Sequence, residues 1–226
     1  MSEKVNTAPW LRFAVELQMT GRFAASLPRT EKEIRAMLEH RMPARKPENA
    51  RSIDTLVAGV MEEVGITTED AEGWLPSAAT FPRNEDGLYY EGRCIRGHLK
   101  DCATQVAQKR MPMLHGANPN YKNFRSKLTN RLYVENEIIP LDRKEPDGTE
   151  TRYIQVMTAQ GPRSSIKYID YVNQPTLSFV VRLYNDGLYG IEDIREVLLY
   201  GSIHGMGQER GQDWGRYEIV RLEQIT

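Results

Sequence analysis

The sequence contains few of the residues that mark secreted and disulfide-linked proteins. Only two of its 226 residues are cysteines, Cys94 and Cys102. If their segment is helical, the two lie about 12 Å apart at ~1.5 Å per residue, which is too far for a disulfide. Free thiols are typical of a reducing compartment. We therefore expect a cytoplasmic protein, from a bacterium or a phage-infected host cell.

Several patterns that would identify a membrane protein or a cofactor-dependent enzyme are also lacking. There is no long apolar run, and the first ten residues have no apolar signal-peptide core, so we expect no membrane partner. The four histidines are scattered and the cysteines lack a CxxC spacing, which predicts no metal site. A P-loop, a GxGxxG after a strand and a GxSxG are absent, so no cofactor is expected.

Charges of opposite sign almost cancel, because 30 Lys and Arg face 31 Asp and Glu for a formal net charge of −1. Any site for nucleic acid must therefore come from local clustering of cations. The length suits one large domain with its own core. We expect a single domain over residues 1–226, with residues 28–86 as a helical insertion.

The first clear element is residues 11–20, LRFAVELQMT, in which apolar and polar side chains alternate. This pattern predicts a half-buried β-strand. Its polar side is one surface on which a ligand could lie.

Two helices are predicted inside the insertion. Residues 30–41 begin with Thr30 and Glu33 at the spacing of a capping box. Residues 52–64 place apolar side chains at helical spacing and are followed by a glycine. The remainder, residues 66–86, predicts a packed irregular loop.

Residues 92–107 predict a helix that is apolar on one face and basic on the other. The apolar positions are Ile95, Leu99, Cys102, Ala103 and Val106. Arg93, Arg96 and Lys100 fall on roughly the opposite face. A helical N-terminus that carries two arginines can receive a phosphate on its free amides. The alternative is an ordinary solvated basic face.

Residues 123–131, NFRSKLTNR, place Arg125 and Lys127 close to Phe124. Cations interleaved with aromatics suit single-stranded nucleic acid, since cations bind the backbone and rings stack on bases. The same pattern also occurs in ordinary exposed loops.

The next stretch predicts β-structure. Asp147-Gly148 lies at the tip of a charged turn, which is a hairpin signal. Two β-like pieces within residues 153–172 flank a connection at residues 159–163. Arg163 in this connection and Lys167 after it could extend a track of cations.

Residues 201–220 hold five glycines between a helical pattern and an alternating pattern. Glycine is needed where φ is positive or where a ligand approaches closely, so this loop is predicted to contact a ligand. The alternative is a helix C-cap followed by a mobile hairpin. The candidate contacts are Gly205, Gly207, Arg210, Gly211, Trp214 and Arg216. Trp214 could stack on a base or close the core, and His204 could be a general acid/base or an incidental polar contact.

The order of these elements predicts an α+β fold of the ferredoxin-like or RRM-like type, with an antiparallel sheet and helices on one face. The open face of such a sheet would be available for single-stranded RNA or DNA.

Two segments carry a resemblance to a known family. GRCIRGHLKD, preceded by YYEG, resembles the IPGSSLKGxLR segment of the RAMP superfamily, the backbone subunits of CRISPR effector complexes. GMGQERGQDWGRYEI resembles their C-terminal loop, GxGxxRxxGFGRFEV. Residues 151–222 also resemble a family of uncharacterised phage and prophage proteins. The resemblance implies an RRM-like protein that binds single-stranded nucleic acid and polymerises along it.

The sequence departs from the RAMP pattern where subunits that cut RNA carry an aspartate after the first strand. Here that region holds Arg29, Glu31 and Glu33. We therefore expect a non-catalytic binder of single-stranded RNA or DNA, acting with copies of itself or with other subunits of a CRISPR-type or phage complex. One alternative is a metal-independent endoribonuclease that uses His204. Another is a protein–protein adaptor in a phage assembly.

Overall fold

The computed structural model describes residues 9–25, 27–28, 34–35, 38–39, 52–64, 78–113, 124–158 and 161–226. The chain divides into two compact units. Unit 1 consists of Met1–Phe23, Glu91–Ile139 and Gln174–Thr226, and unit 2 consists of Ala24–Tyr90 and Pro140–Asn173. The segment 28–86, predicted to be an insertion, lies in unit 2 together with residues 140–173.

The described part of the chain is α+β. Its strands are β1 (Trp10–Met19), β2 (Arg22–Phe23), β3 (Leu27–Pro28), β4 (Ala78–Thr80), β5 (Arg83–Asn84), β6 (Gly87–Glu91), β7 (Leu132–Val134), β8 (Ile138–Pro140), β9 (Gly148–Thr158), β10 (Gly161–Asn173), β11 (Thr176–Tyr184) and β12 (Tyr217–Ile225). Its helices are α1 (Ile53–Val64), α2 (Gly92–Met113), α3 (Phe124–Thr129) and α4 (Ile191–His204), and a 3₁₀ turn covers Arg210–Gln212.

Unit 1 contains a four-stranded sheet in the order β12-β1-β11-β7, with every neighbouring pair antiparallel. The alternation predicted for β1 is confirmed, because Phe13, Val15, Leu17 and Met19 are buried while the residues between them are only half-buried. Strand β11 repeats this pattern. One face of the sheet is therefore core, and the other, which we call the open face, is partly exposed to solvent.

Helices α2 and α4 lie on the core face of this sheet. Tyr217, which pairs with Met19 across the sheet, donates its hydroxyl proton to the carbonyl of Leu198 in α4 at 3.0 Å. The same hydroxyl lies 3.0 Å from Nε2 of His98 in α2. The apolar stripe predicted for residues 92–107 is confirmed as the buried side of α2.

Unit 2 is built around the long antiparallel hairpin of β9 and β10. Strand β4 adds to β10 in parallel, and β3 pairs antiparallel with β4. The predicted helix over residues 52–64 is confirmed as α1, whose Val57 and Met61 pack in a small core with Ile34.

The hairpin predicted at Asp147-Gly148 is wrong. Gly148 begins β9, and the Asp147 amide donates to the carbonyl of Tyr171 at 2.9 Å, at the far end of β10. Asp147 and Gly148 therefore lie at the start of the β9–β10 pairing and not at a hairpin turn. The connection between β9 and β10 is at residues 159–160, which lie outside the described residues.

Three other predicted segments differ from the structure. The basic stretch 123–131 contains helix α3, because Phe124 and Leu128 are both buried at helical spacing. Helix α2 runs on to Met113, beyond the predicted end at residue 107. Residues 66–86 include strands β4 and β5, while residues 65–77 lie outside the described part.

Candidate nucleic-acid interface

The open face of the unit 1 sheet carries three aromatic rings at one end. Antiparallel pairing sets Trp10 on β1 opposite Tyr184 on β11, and sets Tyr133 on β7 opposite Arg182. The Trp10 ring lies 5.5 Å from that of Tyr133 and 5.4 Å from that of Tyr184, edge to face in both cases. Tyr133 and Tyr184 are 39% and 43% exposed, so both rings are open to solvent.

Arginines lie among these rings. The guanidinium of Arg182 stands 5.2 Å from the centre of the Trp10 ring. That of Arg96, from the first turns of α2, stands 4.5 Å from the centre of the Tyr133 ring. We call the three rings with Arg12, Arg96 and Arg182 the aromatic–arginine cluster. Rings and cations in one exposed patch are the two components that single-stranded nucleic acid requires.

Glu135 lies between two of the cluster's arginines. Arg12 donates from Nε and Nη2 to the two carboxylate oxygens, at 2.8 and 2.9 Å, and Arg182 Nε lies 3.3 Å from Oε1. The Glu135 amide donates to the carbonyl of Val180, which fixes the residue beside β11. The hydrogen bond from Arg12 lowers the pKa of Glu135, and the same bond raises the pKa of Arg12.

The cluster was missed from the sequence except for Arg96. Its residues lie at positions 10, 12, 96, 133, 182 and 184, and no local stretch shows more than two of them. The alternation of side chains along β1 and β11 would have indicated part of the cluster, because it shows which residues share one face of the sheet. By this alternation Trp10 lies on the polar side of β1, and Tyr184 lies on the same side of β11 as Arg182.

The basic face predicted for α2 lies as expected on the side away from the core. Arg93 and Lys100 are exposed and Arg96 is half-buried. Arg93 is held by Glu91, to which its Nε and Nη2 donate at 2.6 and 2.5 Å. Any phosphate at this helix end must compete with that carboxylate.

The glycine loop takes the backbone shape that its composition predicts. Gly205, Gly207 and Gly215 all have positive φ, at 76°, 80° and 70°. The Gly205 amide donates to the carbonyl of Gly201 at 2.8 Å as the C-cap of α4, so it is engaged within the protein rather than presented to a phosphate. Gly211 is exposed in the 3₁₀ turn. The loop therefore combines the predicted C-cap with a turn that leads into β12.

The arginine-bearing helix and the glycine loop do meet in unit 1, through Asp101 of α2. Arg210 Nη1 donates to Asp101 Oδ2 at 2.9 Å, and His204 Nε2 lies 3.2 Å from the same oxygen. These contacts lower the pKa of Asp101, with the Arg210 hydrogen bond as the largest cause. Arg216 is paired in turn with Asp213. The loop's cations are half-exposed but already neutralised.

Trp214 closes the core of unit 1, which was the alternative to stacking on a base. The ring is only 7% exposed and packs in the core of unit 1, with the guanidinium of Arg22 5.3 Å from its centre. A buried ring cannot stack on a base, so Trp214 is not part of the exposed surface.

The other predicted cations belong to α3 and β10 and are not members of the aromatic–arginine cluster. Lys127 is half-buried on α3, and Lys167 is half-buried on β10 of unit 2. Arg125 and Arg163 have backbones in α3 and β10, but their side chains fall outside the described residues.

A buried polar group that the sequence did not indicate ties α2 to α4 and β12. The Tyr217 hydroxyl has one proton, which it donates to the carbonyl of Leu198. His98 therefore donates from Nε2 to the hydroxyl oxygen. Desolvation is the main cause that lowers the pKa of His98 from 6.5 to about 3. Burial also raises the pKa of the neighbouring Cys102 thiol to about 12. These groups are structural.

Two features are absent from the described residues. No helix there is long and apolar enough to cross a membrane. No group of three or more His, Cys, Asp or Glu side chains in that part of the chain is arranged to hold a metal ion.

Comparisons with known proteins give matches in structure but none in sequence. No family model and no curated protein matches the sequence. The structure is similar to a chain of the type III-B Cmr-β complex, which was solved by cryo-EM bound to cognate target RNA, with a TM-score of 0.47 and 11% identity. The similarity covers 96% of this chain and 61% of that chain, so this chain spans less than two thirds of the length of that neighbour.

Proposed function

We propose that this protein binds single-stranded nucleic acid without cutting it, and that the open sheet face of unit 1 is the binding surface. The observation that carries the proposal is the aromatic–arginine cluster, in which Trp10 makes edge-to-face contacts with both Tyr133 and Tyr184. Exposed rings are costly to leave in water, and bases that stack on them remove that cost.

The sheet supports a more specific description of unit 1. Numbered within the unit alone, the four strands run 4-1-3-2, with α2 between the first and second strands and α4 between the third and fourth. This strand order supports our proposal that unit 1 is a ferredoxin-like, RRM-like module, into which residues 24–90 and 140–173 are inserted. In such a module the two central strands, here β1 and β11, present side chains to a single strand of RNA.

The RAMP-like motifs on α2 and in the glycine loop extend this proposal beyond the cluster. Arg93, Arg96 and Lys100 would hold the phosphate backbone on one side, and Gly207, Arg210, Gly211 and Arg216 would hold it on the other. Arg125 and Lys127 would continue this track within unit 1, and Arg163 and Lys167 would be separate phosphate contacts on unit 2. In this proposal copies of the protein, or other subunits of a CRISPR-type or phage complex, assemble along the strand.

Binding is tested by fluorescence anisotropy with labelled single-stranded and double-stranded RNA and DNA 20-mers. We expect the single strands to bind and the affinity to fall steeply with salt. A plot of the logarithm of the association constant against the logarithm of the salt concentration should have a slope of about −0.7 per phosphate contact. Tyr184→Ala should weaken binding by roughly 5- to 150-fold, since stacking on one base contributes about 1–3 kcal/mol.

The matched control for that variant is Tyr153→Ala, because Tyr153 is 83% exposed on β9 of unit 2. It removes a more exposed ring outside the cluster and should leave the affinity unchanged. Equal losses in the two variants, or no binding of any oligonucleotide by the wild type, would contradict the proposal.

A second candidate function is RNA cleavage by His204. The contact of His204 Nε2 with Asp101 favours it, since a carboxylate beside an imidazole is one way to support a general acid or base. Incubation of labelled RNA with the wild type and with His204→Ala distinguishes cleavage from binding without cleavage. Cleavage that the variant lacks would establish the enzyme, whereas intact RNA with both proteins supports binding alone. Stable oligomers that bind no oligonucleotide would instead favour the adaptor.

A further inference from the structure

We infer that Arg12 and Arg182 form a phosphate subsite on the open sheet face, and that Glu135 occupies this subsite in the free protein. The inference rests on the proposed function. It adds the position at which the protein holds the phosphate backbone of the bound nucleic acid. The ligand is a phosphodiester group of single-stranded nucleic acid.

The geometry of the Arg12 contact is the first argument. Its Nε and Nη2 donate to the two oxygens of one carboxylate at 2.8 and 2.9 Å. This fork is the arrangement by which an arginine also binds two phosphate oxygens. The Glu135 carboxylate therefore stands where a phosphate would stand, with the same sign of charge.

The second argument is that the subsite lies beside the stacking rings. Arg182 reaches the same Glu135 oxygen at 3.3 Å while its guanidinium stands 5.2 Å from the centre of the Trp10 ring. A base stacked on Trp10 or Tyr184 would bring its own phosphate close to both guanidiniums. The Arg12 and Arg182 side chains are 40% and 43% exposed, so a strand can reach them.

Exchange of Glu135 for a phosphate is feasible because the pair is accessible to water. The Glu135 side chain is 24% exposed, and an ion pair at a surface contributes little to stability. Arg12 also donates from Nη1 to the carbonyl of Thr226 at 3.0 Å, a contact that can hold its guanidinium in place when Glu135 leaves.

The test compares Glu135→Gln with Glu137→Gln by anisotropy on a labelled 20-nucleotide poly(U) RNA. Glu137 is exposed two residues further on, so both variants remove one negative charge from the same segment. We expect Glu135→Gln to bind roughly three- to tenfold more tightly than Glu137→Gln, since the competing carboxylate is gone. Adding Arg12→Gln to Glu135→Gln should abolish the gain.

Each outcome has one meaning. Equal affinities of the two single variants, or a gain that survives Arg12→Gln, would overturn the subsite while leaving the proposed function in place. Failure of the wild type to bind the RNA would overturn both. Glutamine keeps an oxygen that Arg12 can donate to, so the fold should survive. If circular dichroism shows that Glu135→Gln is unfolded, Glu135→Ala takes its place in the same comparison.

Discussion

Burial of His98 predicts that unit 1 loses stability as the pH falls below 6.5. The imidazole is 7% exposed, and its pKa is lowered to about 3. Desolvation is the largest cause, the charges of His204 and Arg210 add to it, and that of Asp101 opposes it. In the unfolded chain the same ring titrates near 6.5. Between these two values the unfolded chain binds a proton that the folded protein excludes.

The free energy of unfolding therefore rises with pH across this window and is fully restored above pH 6.5. With a folded pKa of about 3 and an unfolded value of 6.5, the His98 contribution at pH 4.5 is lower by about 3 kcal/mol than at pH 7.5. Such a loss is a large fraction of the stability of an ordinary domain, about 5–15 kcal/mol.

Urea unfolding followed by far-ultraviolet circular dichroism at pH 7.5 and 4.5 measures the effect in the wild type, His98→Gln and His204→Gln. Asp101, Glu135 and Glu223 have lowered pKa values and add an acid loss of their own. The three proteins share this loss because the Arg210 hydrogen bond, the largest cause at Asp101, remains in His204→Gln. We expect His98→Gln to lose about 3 kcal/mol less than the wild type on acidification, and His204→Gln to follow the wild type. If His98→Gln and the wild type lose the same free energy, the argument from burial is refuted.

Two further predictions concern packing in each unit. Gly201→Ala should destabilise unit 1 by about 1–3 kcal/mol, because a Cβ there would overlap the Tyr217 hydroxyl, whereas Gly97→Ala, with open space around it on α2, should stabilise it by about 0.5–1 kcal/mol. Thermal melting of both variants measures this contrast, and equal shifts would contradict it. In unit 2, Thr80→Val should cost about 1.5–3 kcal/mol, because Thr80 donates to the buried Asp170 carboxylate at 2.7 Å. A melting curve unchanged from the wild type would count against this bond.

The elements that could be predicted from sequence are those whose signal is local. Alternation along β1 and the apolar stripe of α2 each appear within twenty residues, and both predicted the buried positions correctly. The Asp147-Gly148 signal failed although it is also local. That dipeptide suits a hairpin tip, but pairing of Asp147 with Tyr171 at the end of β10 overrides its preference.

The candidate site was harder to predict because pairing between distant strands creates it. Trp10 and Tyr184 become neighbours only through the register of β1 and β11, and Tyr133 joins them from a three-residue strand. The pairing of cations was equally hidden. Arg210 and Arg93 looked free in the sequence, yet Asp101 and Glu91 neutralise them in the structure.

The central claim is that single-stranded nucleic acid lies on the open sheet face of unit 1. Ultraviolet cross-linking of the protein to single-stranded RNA, followed by mass spectrometry of the linked peptides, tests it most directly. The account predicts nucleotide adducts on Trp10, Tyr133 or Tyr184, lost when unlabelled competitor RNA is added. Adducts confined to unit 2, with none on these three rings, would contradict it.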